Sequence, residues 1–227
     1  MQLSERTLLR LHVEAVWGVQ LPAILQSDIA LSRESKQPPW RLCAAAITGD
    51  HVNIWRPDVP TAEREVLLAR AHEALALPPT IAGARDISRE VALQQVASPT
   101  MDMTTVQQLA RPLTSRDRAL LRAFQPNSEG YYLHVDRRPL IGVISEGRLL
   151  SLAHSSRRTS EACELGITTL PEARRRGYAL AATILWAASV SQEGLIPIYS
   201  ALIKNQASLS LASAAGYRIF AHIATIK

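Results

Sequence analysis

Apolar residues recur at helical spacing near the start of the chain. Leu8, Leu11 and Ala15 or Val16 fall on one face of residues 4–17, with Ser4 placed to cap the helix. Two short apolar runs, Arg41–Ile47 and His51–Arg56, flank Gly49-Asp50 and predict a hairpin that Pro57 closes. Thr61–Leu77 reads as a helix, with Glu63 and Glu65 in its first turn and Pro78-Pro79 as its stop. Ile87–Val96 reads as a weaker helix. Pro99–Gln108 is mixed in composition and marks the boundary between two halves, residues 1–108 and 109–227.

The second half has a different pattern. Ser115–Phe124 predicts a short helix capped by Thr114 or Ser115. Tyr131–Val135, Leu140–Ser145, Arg148–His154 and Glu161–Thr169 predict four strands, with Arg137-Arg138-Pro139 and Gly147 turning the first three. Gly177–Val190 predicts a helix with Leu180, Ile184, Leu185 and Ala188 on its apolar face. Leu195–Leu202 reads as a buried strand, Asn205–Ala215 as a helix ended by Gly216, and Tyr217–Ile226 as the last strand. This order predicts an α/β (α+β) fold: a mixed, mainly antiparallel sheet with flanking helices, joined to an α/β N-terminal region.

Composition narrows the class. The chain has 227 residues, 47% of them hydrophobic and 20% charged, a soluble globular profile. Cys43 and Cys163 have neither disulfide-framework nor metal-ligand spacing, so no metal is expected and a reducing cytoplasm is the expected compartment. No secretory signal is expected, because Glu5, Arg6, Arg10, His12 and Glu14 interrupt the first leucines. The longest apolar stretch, Ala179–Val190, is broken by Thr183 and Ser189 and is too short to span a bilayer. The net charge is +5, nearly all from arginine. A basic balance fits nucleic acid, a membrane surface or an anionic cofactor; the arginines are scattered and lack a stripe interleaved with aromatics, which argues against nucleic acid and leaves a membrane surface or an anionic cofactor.

One segment fits an anionic cofactor. Glu164–Leu180 reads ELGITTLPEARRRGYAL: a strand, a proline, three arginines, Gly177, Ala179 and a helix. A helix N-terminus offers unpaired N–H groups and a positive dipole end. Gly177 lets backbone approach a phosphate closely, and Arg175 and Arg176 can add charge-assisted hydrogen bonds.

The loop Arg174-x-x-Gly177-x-Ala179 resembles motif A of the GNAT acetyltransferase superfamily. Asn205, Ser208 and Gly216-Tyr217 are similar to that family's pattern after its fifth strand, and the resemblance covers roughly residues 112–227. It implies transfer of an acetyl group from acetyl-CoA to the primary amine of a small molecule or peptide. It also implies a bulge in the fourth strand, which splays from the fifth. Main-chain groups of Ile167, Thr168 and Thr169 would then pair with the pantetheine arm. Those of Arg174, Arg175, Arg176, Gly177, Tyr178, Ala179 and Leu180 would surround the pyrophosphate. Asn205 and Ser208 would lie by the cofactor arm or order the helix start. Residues 1–108 would be a degenerate GNAT-like half or a domain shaping the acceptor site. The oligomeric state stays open, a homodimer included.

The chemistry needs a base for the amine proton and an acid for the leaving thiolate. Glu164 is the first candidate base, against a carboxylate facing solvent or pairing with Arg157 or Arg158. Glu161 is the second, and His154 reads as a satisfied strand-end histidine. The family's acid is often a tyrosine where this chain has Ala212; Tyr217, Tyr199 or Ser208 would substitute, or water would suffice because a thiolate is a tolerable leaving group, with Tyr217 taken as the candidate. The alanine favours an alternative, an acyl-CoA-binding sensor or scaffold without catalysis. Trp17, Trp40 and Trp55 are better explained by packing than by an acceptor site, and Cys163 by inert burial.

Overall fold

The computed structural model describes residues 3–81 and 84–227. In chain order the elements are α1 (Glu5–Trp17), β1 (Asp28–Ala30), β2 (Leu42–Ile47), β3 (Asp50–Trp55), α2 (Thr61–Ala76) and β4 (Ile87–Gln95). They continue with α3 (Met103–Leu109), β5 (Ala110–Pro112), α4 (Arg118–Phe124), α5 (Glu129–Tyr132), β6 (Leu140–Ser145), β7 (Arg148–Arg158) and β8 (Ala162–Thr169). The last are α6 (Tyr178–Gln192), β9 (Ile196–Leu202), α7 (Gln206–Ala214) and β10 (Tyr217–Ile226). The fold is mixed α/β with mainly antiparallel strand pairing, as the element order predicted. Among the described residues no helix is long and apolar enough to cross a membrane.

The chain forms two compact units. The first comprises residues 1–94, 199–209 and 218–227, and the second residues 95–198 and 210–217. In the first, β2 pairs antiparallel with both β3 and β10, and β1 pairs parallel with β3. Helix α1 starts where Ser4 Oγ accepts from the Thr7 N–H, and ends at Gly18 in the left-handed region. Helix α2 buries Leu67 and Ala71 with Leu42, Trp55 and Ile226. Trp40 and Trp55 are sealed in this unit, and the Trp55 indole donates to Asp28 Oδ1 at 3.0 Å. Packing is therefore the use made of both.

In the second unit β5, β6, β7 and β8 form an antiparallel run, and β8 pairs parallel with the start of β9. Successive residues of β7 point to opposite faces. Ser155 faces α6, where the Trp186 indole donates to its Oγ at 3.3 Å. Leu152 faces the other way, in a core with Leu121 of α4 and Tyr132 of α5.

Three sequence expectations are corrected. Residues 87–95 form a strand, β4, in place of a helix. Its Glu, Ala, Leu and Gln residues favour helix intrinsically, but Val91, Ala92 and Leu93 are buried as sheet residues, and tertiary burial outweighs propensity. Tyr131–Val135 is no strand: it spans the end of α5 and the start of a 3₁₀ turn, Val135–Arg137. Its aromatic and β-branched residues suit a strand, yet Tyr132 N–H already bonds back to the Ser128 carbonyl in a helical turn. That turn seats the Tyr132 ring in the core. Arg137-Arg138-Pro139 therefore connects a turn to β6 and does not join two strands. Helix α6 buries Ala181, Ala182, Ile184, Trp186, Ala187 and Val190, while Leu180, Leu185 and Ala188 are only half-buried. The helix is apolar all round, so periodicity could not choose its inner face.

Candidate functional site

Two groups of residues in the second unit have the makings of a site. The first is the connection from β8 to α6. A 3₁₀ turn, Pro171–Ala173, ends β8, and Arg148 holds Glu172 of that turn at 2.9 Å. Arg174, Arg175 and Arg176 are exposed. Arg175 has φ 59° and Gly177 φ 78°, so the chain passes twice through the left-handed region within three residues. Glycine enters that region without strain, and arginine does so at a cost of about 1–2 kcal/mol. A Cβ on Gly177 would also stand 3.2 Å from Met101 Cε. The first helical hydrogen bond of α6 runs from Ala181 N–H to the Gly177 carbonyl. The N–H groups of Tyr178, Ala179 and Leu180 precede it and lie outside the helical ladder. Three consecutive donors and the positive end of a helix dipole of fifteen residues stand at one end of α6, and three exposed arginines precede it in the chain.

Strand β8 leads into this loop. Its parallel ladder to β9 covers Ala162–Glu164 and Ile196–Ile198. Its antiparallel ladder to β7 continues to Thr169. Ile167, Thr168 and Thr169 therefore lie past the end of the β9 ladder. The register shift between β7 and β8 makes Ser156 the extra residue, so the bulge is in β7 and not, as the resemblance implied, in the fourth strand of this run.

The second group lies on the face of β7 and β8 opposite α6, and the bulge helps assemble it. Ser156 Oγ donates to Glu164 Oε2 at 3.0 Å, and Arg157 Nη1 donates to the same oxygen at 2.8 Å. Glu164 is buried while Arg157 is half-exposed, so the pair is a buried carboxylate with a wet guanidinium. Of the two readings of Glu164 as a bystander, pairing with Arg157 is the one seen.

His154 pairs with Gly166 across the strands. Its ring takes the space of a side chain there: a Cβ on Gly166 would stand 2.4 Å from His154 Cε1. Burial, and secondarily the Arg137 charge, lower the His154 pKa from 6.5 to about 4, while the Gly166 backbone and Glu164 oppose the shift. His154 is therefore neutral near pH 7. Both aromatic residues of α5 pack on its ring, Tyr132 at 5.1 Å and Tyr131 at 5.7 Å between centroids. The Tyr131 hydroxyl lies 3.4 Å from His154 Nε2, and the Arg137 guanidinium lies 4.2 Å above the Tyr131 ring. The Arg137 side chain is anchored by donating to the Ser156 carbonyl.

Tyr217 is buried at the start of β10, and Ala212 is buried in α7. Asn205 Oδ1 accepts from Ser208 N–H at 3.1 Å, so it orders the first turn of α7. The Tyr199 hydroxyl lies 3.0 Å from Ser208 Oγ. Cys163 is buried, and burial raises its thiol pKa, which fits an inert side chain.

A model of the GNAT acetyltransferase family matches residues 91–222. The chain belongs to the GNAT acetyltransferase family. No curated protein matches it. Among solved structures, a GNAT-family acetyltransferase from Colwellia psychrerythraea is similar at 14% identity and a TM-score of 0.52, over 77% of this chain and 75% of the other. One from Novosphingobium aromaticivorans is similar at 21% identity and a TM-score of 0.49, over 64% and 68% of the two chains. At these identities the likeness concerns the fold. In this GNAT protein the sequence missed Tyr131 and Arg137. The tyrosine lay in an apparent strand and the arginine in an apparent exposed turn.

Proposed function

We propose that this GNAT acetyltransferase moves an acetyl group from acetyl-CoA to the primary amine of a small molecule or peptide. The observation that carries this reading is the end of β8 and the start of α6. There the left-handed Gly177, the N–H groups of Tyr178, Ala179 and Leu180, and Arg174, Arg175 and Arg176 offer a seat for a pyrophosphate. The backbone of Ile167, Thr168 and Thr169, past the end of the β9 ladder, suits the amides of a pantetheine arm.

In the reaction the neutral amine nitrogen attacks the thioester carbon, and a C–N bond forms as the C–S bond breaks. Sulfur leaves with the electron pair and gains a proton, and the new amide nitrogen loses one. Holding the two reactants together removes much of the entropic barrier. Glu164, buried on β8, is assigned the amine proton; the Arg157 pair holds it in place. Both cysteines are free and buried, which suits a reducing cytoplasm.

The second reading, a domain that binds acyl-CoA without catalysis, is favoured by Ala212, which is buried where the family resemblance implies an acid. One experiment separates the two. Acetyl-CoA at 100 times its Kd stabilises the fold by about 2.7 kcal/mol and raises Tm by several degrees. CoA-thiol release is then followed with a panel of primary amines. Release with at least one amine supports the transferase. A Tm rise without release on any amine supports the binding domain, and no Tm rise removes both.

A further inference from the structure

The cluster around His154 has features that packing alone does not require. Tyr132 is buried and fills the core, but Tyr131 beside it is 45% exposed, with its hydroxyl turned to a buried imidazole. The imidazole packs against β8 at Gly166, one residue before Ile167. Residues of α5, the 3₁₀ turn after it and β7 therefore bring a phenol, a neutral imidazole and a guanidinium to the strand on which the donor arm would lie. Ala212, meanwhile, stands where the family resemblance implies the acid for the leaving sulfur.

We propose that Tyr131 is that acid, with His154 as its positioning residue and Arg137 as the charge that steadies the phenolate. The proposal rests on the acetyl-CoA reading above. In it the Nε2–H tautomer of His154 donates to the Tyr131 oxygen, so the phenol proton points away from the imidazole. As the C–S bond breaks, that proton passes to the departing sulfur and gives the CoA thiol. The phenolate left behind holds the Nε2–H bond and lies under the Arg137 guanidinium, a cation at a ring face. The amine proton taken up by Glu164 is released to solvent, and Tyr131 regains one from solvent, so charge and atoms balance after each turnover. His154 stays neutral throughout because its low pKa keeps it from competing for the proton. The charged and titratable groups facing Tyr131 are Arg137 from the 3₁₀ turn, Tyr132 from α5, His154 from β7 and, beyond it, Glu164 from β8.

Acid assistance to a leaving group matters most when that group is a poor one. The test compares wild type with Tyr131→Phe, which keeps the ring and its contacts. The donors are acetyl-CoA and an aryl thioester with a more acidic thiol, and the acceptor is whichever panel amine gives the fastest CoA release. With acetyl-CoA, Tyr131→Phe is expected to lower kcat about 100-fold with KM for the donor unchanged. With the aryl thioester the two proteins are expected to run within about threefold of each other. Equal losses on both donors, or a kcat within twofold of wild type on acetyl-CoA, would overturn the proposal while leaving the transferase reading intact. Absence of CoA release by wild type would remove both. A ¹⁵N spectrum of His154 showing the Nδ1–H tautomer at neutral pH also overturns it.

Discussion

The two parts of the candidate site are built on opposite plans. The loop at the start of α6 presents backbone groups, and all of them come from a few consecutive residues, Arg174 to Leu180. The cluster on β7 and β8 presents side chains, and they come from α5, the following turn, β7, its bulge and β8. Backbone donors at a helix start need only the right local conformation, so they suit a cofactor whose phosphates are always the same. A cluster assembled from four elements can change one member without disturbing the helix, so it suits a chemical step set by side chains. The difference also predicts where each part is vulnerable: the loop to changes of backbone conformation, the cluster to changes of protonation and fit.

The cluster's dependence on protonation gives the largest expected effect. The folded His154 pKa is depressed to about 4, below the unfolded value of 6.5. As pH falls from 6.5 toward 4 the unfolded chain binds a proton that the folded protein excludes. Stability is therefore lost across that window and unaffected by this group above it. The loss approaches roughly 3 kcal/mol at the acid end. Urea unfolding of wild type and His154→Gln at pH 7.5 and pH 4.5 measures it. The variant should show the smaller acid loss, and identical losses would mean that His154 is not held neutral by the fold.

A backbone change should strike the loop next. Gly177→Val forces a β-branched residue to φ 78° and crowds Met101. The acetyl-CoA Kd is expected to rise roughly 10- to 100-fold. Calorimetric titration of a variant that keeps its far-ultraviolet circular dichroism checks this. An unchanged Kd would mean that the loop backbone is not what holds the donor.

Arg175→Gly gives the smallest effect and sharpens the comparison most. It removes a guanidinium but relieves a left-handed arginine. Stability should rise by up to about 1 kcal/mol, with donor Kd within about threefold of wild type. A tenfold weaker Kd would assign the binding to the side chain and make the loop resemble the cluster after all.

The loop was the legible part. A strand, Pro171, Gly177 and an apolar helix stand in order along the chain, and each acts on neighbours within a turn or two. Gly216 closing α7 and Ser4 capping α1 were readable for the same reason. The cluster was not. Tyr131-Tyr132 looks like strand because aromatic residues favour strands, and only the seat of Tyr132 against Leu121 and Leu152 decides for a helix. Arg137-Arg138 looks like an exposed turn because nothing nearby in sequence pairs with it, whereas its partners, the Ser156 carbonyl and the Tyr131 ring, depend on where the turn settles. Strand β4 was misread because its helix-forming residues say nothing of the sheet that buries them.

The sequence by itself determined the family, the order of most elements and the anion-ready end of α6, because those depend on local backbone preference and short-range spacing. Only the tertiary structure decided that His154 is neutral, that Glu164 is shared between Ser156 and Arg157, and that Tyr131 faces an imidazole. The Glu164 contacts follow from strand register and the bulge at Ser156, the Tyr131 contact from the seat of α5 against β7, and the neutral His154 from the burial these produce, all between residues that are not neighbours in the chain.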